Sequence, residues 1–176
     1  MPSDISATAQ NIPAARLPEY TFRSLVRAFG TGRQLMEPFF AQFGISTAQW
    51  GILRAILRAE EEGVQELRLT DLSTRLLIRP PSVTTVIDRM ELAGVVLREA
   101  SPTDRRAKTI ALTPKGRAII MRVLATYDAQ IFSVMGALSP DEQRQMSLML
   151  DRLNAHLARM ASENLRTGAE SELDPL

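Results

Sequence analysis

Two adjacent prolines in the stretch "LTDLSTRLLIRPPSVTTVIDRMELAG" constrain this chain more than any other feature. A proline in the first turn of a helix forfeits nothing, because the amide it lacks has no partner there, whereas inside a helix it breaks the hydrogen-bond ladder. Pro80 and Pro81 therefore end one helix and start another. The helix before them is short; Thr70 is placed to cap it, and Asp71 suits the positive end of its dipole. The helix after them ends at Gly94, a residue suited to a C-terminal stop. On it Val83, Ile87 and Met90 share one face at steps of four and three. Ser82, Thr85 and Arg89 share another, which carries only small hydroxyls and one long cation.

A hairpin follows. "VVLREA" and "AKTIALT" alternate as strands do, and "SPTDRR" between them has turn chemistry. Two short helices joined at a tight break, the second with a small polar outer face, then a basic hairpin, form a winged helix-turn-helix pattern. That pattern suits DNA, because a helix enters the major groove only if its leading face is thin and can donate and accept hydrogen bonds. Ser82, Thr85 and Arg89 meet both demands. At the hairpin tip Arg105 and Arg106 stand on a ribbon narrow enough to reach a minor groove or its phosphates. Asp104 opposes them in charge; its expected work is to bond turn amides or one neighbouring Arg, so that the other guanidinium points outward. A loop freed from phosphate contact has no need of Arg105, Arg106 and Lys108 together.

The flanks read as helices. Phe22, Leu25, Val26, Phe29, Met36, Phe39, Phe40 and Phe43 recur at helical spacing, in a first helix that Gly30, Gly32 and Pro38 should weaken or bend. "STAQWGILRAILRAEEEG" opens on Ser46 with Gln49 three residues on, a capping box, and stops at Gly63. Thr113 with Pro114 starts a long helix, and Ser139 with Glu142 repeats the capping box before a last one carrying Met146, Met149, Leu153, Leu157 and Met160. The apolar stripes of these two exceed what so small a middle section can cover, so part of them should pack on the first helix or on a second chain. The expected class is mainly α with a small β-hairpin wing. The expected organisation is a mobile tail over 1–17, a single domain over 18–163 with its DNA-binding part at about 46–113, and a mobile acidic tail over 164–176.

Composition and charge narrow the chemistry. No cysteine is present, which excludes disulfides, thiol catalysis, thiol-based redox sensing and cysteine-ligated zinc. Hydrolytic triads and general-base pairs usually need histidine or cysteine. The one histidine, His156, lies among Leu153, Leu157 and Met160 and reads as a half-buried structural residue. Glu60, Glu61 and Glu62 read as a solvated cluster, Trp50 as core, and no glycine-rich phosphate loop occurs. An enzyme is not expected, nor a cofactor or metal. No uninterrupted apolar run approaches bilayer length and the N-terminus lacks signal-peptide order, so a cytoplasmic protein without membrane contact is expected. From Arg68 to Arg117 there are 10 Lys/Arg against 5 Asp/Glu, a net of +5 in a chain whose total is +1. This asymmetry points to a polyanionic partner.

At these residues the chain resembles the MarR family of winged helix-turn-helix regulators, over about Arg23 to Met160. The most specific part is "VTTVIDRMELAGVVLREASPTDRRAKTIALTPKG", with its Asp-x-Arg of Asp104 and Arg106 and the later Leu112-Thr113; "GISTAQWGILRAI" is also similar. The resemblance implies contacts to base edges and phosphates from Ser82, Thr84, Thr85 and Arg89, with minor-groove contact through Arg105 or Arg106. The "RPP" stretch adds Arg79 as a further phosphate contact. It also implies a homodimer built from the helices over about 18–43 and 114–163, binding a pseudo-palindrome in double-stranded DNA. Many relatives carry Arg where Thr85 stands, so base preference does not transfer. The family often responds to small aromatic acids or phenolic compounds, and no residue here is assigned to such a ligand. The expected function is a DNA-binding transcription regulator, a repressor released from its operator by a small molecule. The alternative is a winged-helix protein-interaction module that has lost DNA binding.

Overall fold

A computed structural model describes residues 11–76, 80–101, 104 and 107–171. A 3-10 turn at Ala14–Arg16 leads into α1 (Leu17–Ala41), followed by α2 (Thr47–Glu61), α3 (Leu69–Leu76), α4 (Pro80–Leu92), strands β1 (Val96–Ala100) and β2 (Lys108–Leu112), α5 (Pro114–Met135) and α6 (Pro140–Ser171). The chain is mainly helical with one small hairpin, as expected. Where one domain over 18–163 was expected, the chain gathers into two compact units that divide between Tyr127 and Asp128, inside α5. Structure also extends past both expected boundaries, through the turn at Ala14–Arg16 and through α6 to Ser171.

Local chemistry explains the helix boundaries. Ser46 Oγ accepts from the Gln49 amide at 3.2 Å while Gln49 Oε1 accepts from the Ser46 amide at 2.8 Å, completing the capping box of α2. Thr113 Oγ1 accepts from the Gly116 amide at 3.0 Å and caps α5. The α3 boundary corrects the sequence reading: α3 starts at Leu69, so Thr70 lies inside it. The Asp71 carboxylate reaches back to accept the Arg68 amide at 2.8 Å, doing the work expected of Thr70. Gly63 and Gly94, just past α2 and α4, take φ of +76° and +67°, a region where only glycine is unstrained. α1 runs unbroken through Gly30, Gly32 and Pro38. Burial of Met36, Phe39 and Phe40 near its end outweighs the weak intrinsic propensity, as tertiary packing of a helix face commonly does.

The first unit is built around Leu53, Ile56, Leu72, Val83, Ile87, Met90, Val96, Ile120 and Val123, all essentially without solvent exposure. Trp50 is core, as expected, stacked on Phe40 with ring centroids 5.4 Å apart and tilted against Tyr127 at 5.3 Å. Elsewhere large apolar side chains face solvent in the single chain: Phe22 is 65% and Phe29 68% exposed on α1, and Leu148 and Met149 are exposed on α6. His156 is exposed with them. The expectation of a half-buried histidine fails because Leu153, Leu157 and Met160 beside it are themselves uncovered. α5 is long and apolar enough to cross a membrane by length and composition, with a mean hydropathy of 1.3 over its most apolar stretch. Arg122 and Asp128 interrupt that apolar run, and Ile120 and Val123 turn from it into the core.

The start of α6 carries a pH dependence. The Ser139 amide donates to the Glu142 carboxylate at 2.7 Å and the Ser139 hydroxyl donates at 2.8 Å, which lowers the Glu142 pKa from the usual carboxylate value. A depressed folded-state pKa contributes stability at pH above the unfolded value and loses it as pH falls through the folded one. Carbon NMR titration of the Glu142 carboxyl is expected to show a midpoint below that of an ordinary glutamate, moving only part of the way back in Ser139→Ala, which removes the hydroxyl and keeps the amide donor.

Candidate nucleic-acid interface

α4 presents the expected two faces. Val83, Ile87 and Met90 are buried to within 1% of completeness, while Ser82, Thr85 and Arg89 are exposed. Thr84, which the family resemblance placed among the contacts, is half-buried. The Thr85 hydroxyl donates to the Pro81 carbonyl one turn back at 3.1 Å, so its hydrogen is committed and the exposed oxygen is left as an acceptor. Arg79, Arg105 and Arg106 lie outside the described residues.

α4 is held against the hairpin by a cation the sequence reading did not single out. Arg98, third residue of β1, donates to Asp88 at 2.6 Å and to Glu91 in a second short contact. The Arg98 side chain is 18% exposed, and these bonds, that to Asp88 foremost, raise its pKa. Both acids sit on α4, so one guanidinium ties α4 to the hairpin and offsets one of the two negative charges flanking Arg89. The same C-terminal end of α4 is gripped from the start of α5. Lys115 Nζ donates to the Ala93 carbonyl at 2.8 Å and Thr113 Oγ1 to the Gly94 carbonyl at 2.7 Å, a cation and a hydroxyl on carbonyls a helix end leaves free. Gly116 makes this fit possible: a Cβ there would stand 2.2 Å from the Val95 carbonyl oxygen.

The hairpin pairs Val96 with Leu112 through Ala100 with Lys108. The sequence reading missed a third, very short strand edge: Arg68 bridges Thr109, and the Ile110 amide donates to the Leu67 carbonyl at 2.8 Å. The base of the turn is knotted to the same segment. Buried Ser101 donates from Oγ to Glu66 at 2.5 Å and accepts there from the Asp104 amide at 3.0 Å, and the Asp104 carbonyl accepts from the Ala107 amide at 2.9 Å. The backbone of Asp104 thus shapes the turn, and Lys108 stands exposed at the first position of β2.

Ion pairing thins the positive charge available to a partner. Glu60 takes a two-bond fork from Arg117, at 2.8 and 3.0 Å, and Glu62 takes Arg75 at 2.6 Å. Glu61 and Glu62 are exposed, as a solvated cluster requires, and within the run Glu62 and Glu60 also tie the end of α2 to α3 and to the start of α5. With Arg75, Arg98 and Arg117 so engaged, Arg89 and Lys108 are described cations of the middle segment that carry no ion pair. They stand on the two elements that a winged helix-turn-helix presents to DNA. Among the described residues no group of acids and histidine is placed to hold a metal ion.

Helix, turn, helix and hairpin in this arrangement define a winged helix-turn-helix protein. The sequence model of the MarR family matches residues 43–107, from just past α1 to just before β2. PapX of Escherichia coli, an HTH-type transcriptional regulator, is 30% identical over 120 residues that cover 68% of this chain and 71% of that one. The HTH-type regulator YkoM of Bacillus subtilis is 27% identical over 135 residues, covering 77% and 84%. Among solved structures, a mutant MarR of Escherichia coli in complex with operator DNA superposes with a TM-score of 0.71 at 20% identity, over 81% of this chain and 99% of that one. The chain belongs to the MarR family. Its relatives are transcription regulators and not enzymes.

Proposed function

We propose that the chain is a transcription repressor that binds a pseudo-palindromic DNA operator as a homodimer and leaves it when a small molecule binds. The observation that carries the reading is the outer face of α4: Ser82, Thr85 and Arg89 exposed, with Asp88 and Glu91 beside them both paired to Arg98, which offsets one of their two charges. A helix face of this kind offers donors, an acceptor and one unpaired cation to the major groove, while Lys108 and the wing arginines Arg105 and Arg106 take phosphates or the minor groove, and Arg79 a phosphate. The exposed apolar stripes of α1 and α6 supply the surface for a second copy. Half-sites in successive major grooves lie about 34 Å apart, so a ligand that fixes the dimer at another spacing releases DNA without touching it. Such a protein works in the cytoplasm, beside the chromosome. The operator-bound MarR structure supports the fold's fitness for this task.

Two substitutions separate the contacts. Arg89→Ala removes a cation at the groove and is expected to weaken operator binding by about 1–3 kcal/mol, roughly fivefold to 150-fold. Thr85→Val keeps the shape of the side chain and removes the acceptor. It is expected to relax preference at one base pair per half-site, one that offers an amino donor from adenine or cytosine, with the salt slope unchanged. Selection of bound fragments from genomic DNA of the source organism, run with wild type and both variants, checks each. Enrichment of no sequence by wild type would instead favour an interaction module.

A further inference from the structure

We infer that the groove at the start of α1 is a binding site for a small dianion, a phosphate monoester carried on a planar ring. Residues 11–13 and the first turns of α1 line a groove of about 420 Å³, within the range of about 300–1,000 Å³ that small-molecule sites occupy. Arg16, Tyr20, Arg23 and Arg27 recur there at steps of four, three and four, so three guanidinium groups share one face with a tyrosine ring among them. Phe22 and Val26, of the exposed apolar stripe, adjoin Arg23 and Arg27 at the edge of this face, so a second copy seated on the stripe would border the groove.

Arg16 and Arg27 do not serve the helix. Glu19 pairs with Arg23 at 3.6 Å, both largely exposed, and Arg16 and Arg27 have no ion-pair partner among the described residues. Arg16 occupies the N-cap of α1, where a cation opposes the helix dipole, and its side chain makes no capping bond. Like charges one to two turns apart on a helix are destabilising. Three arginines against one glutamate leave the groove at +2, the complement of a phosphate monoester, whose oxygens also match the arginine fork in pairs. The Tyr20 ring offers a stacking surface to a planar group, and the Tyr20 and Ser24 hydroxyls add donors.

Calorimetric titration of the full chain with phenyl phosphate, inorganic phosphate and benzoate tests the assignment. Phenyl phosphate is expected to bind more tightly than either of the others. The double variant Arg16→Gln/Arg27→Gln is expected to weaken it about tenfold or more, and Tyr20→Leu to bring it down to the level of inorganic phosphate. These side chains are exposed, and unchanged helical circular dichroism will show that the fold survives. Undetectable binding of phenyl phosphate, equal binding of inorganic phosphate or benzoate, or undiminished binding by the double variant would overturn the assignment. The double variant should keep wild-type affinity for mixed-sequence DNA. A loss there would put the arginines on DNA and sink the small-ligand site, whereas failure of the wild type to select an operator would leave this result untouched.

Discussion

Gly116→Ala is expected to lower the melting temperature of the protein by about 6–12 °C. The added Cβ would stand 2.2 Å from the Val95 carbonyl oxygen and 3.4 Å from the Leu112 side chain, and the nearer neighbour is backbone, which has no rotamer to move to. Overpacking of this kind costs about 3 kcal/mol, and in a chain of this size each kcal/mol moves the midpoint by about 2–4 °C. The reverse sign is expected for the same chemical change at Gly32, where nothing lies within 4 Å and the residue is inside a helix. There alanine should add about 0.5–1 kcal/mol. Thermal melts of both variants provide the check. A Gly116→Ala protein as stable as wild type would mean that α5 does not seat closely against Val95.

The largest expected effect on DNA binding from a residue that need not touch DNA belongs to Arg98. Arg98→Ala unties α4 from the hairpin and leaves Asp88 and Glu91 without their guanidinium, so two carboxylates beside Arg89 face a polyanion unneutralised. Affinity is expected to fall about a hundredfold at low salt, on every sequence alike, because repulsion of phosphates carries no base information. Stability should change far less, since Asp88 and Glu91 are substantially exposed and exposed pairs contribute only about 0.2–1 kcal/mol. Adding Asp88→Asn and Glu91→Gln to Arg98→Ala removes the repulsion and should restore most of the affinity. Anisotropy titrations at two salt concentrations measure both steps. An affinity that the triple variant does not recover would make Arg98 a positioning residue alone.

These two residues mark the edge of what the sequence makes legible. Caps are local, so Ser46 with Gln49, Ser139 with Glu142 and Thr113 with Pro114 announce their helices correctly within four residues. The faces of α4 follow from helical period alone, and Ser82, Thr85 and Arg89 emerge exposed where period puts them. Arg98 is different, because its partners lie seven and ten residues away across a turn and its role exists only once hairpin and helix dock. Glu60 likewise finds Arg117 at a separation of 57 residues. The strand edge at Leu67 and Arg68 is too short to alternate, and Thr70 lost its expected cap to Asp71 by one residue, the limit within which a terminal position is readable. Gly116 reads as a motif letter until the Val95 carbonyl is seen beside it.

Function on this reading depends on two copies of α4 engaging two half-sites together. The measurement is the affinity of wild-type protein for a selected pseudo-palindromic duplex, set against duplexes in which one half-site is scrambled or the two are moved apart by half a helical turn. The expected result is a loss of two orders of magnitude or more in both altered duplexes, about 3 kcal/mol, because either one denies the second copy its groove. Equal affinity for all three duplexes would contradict it.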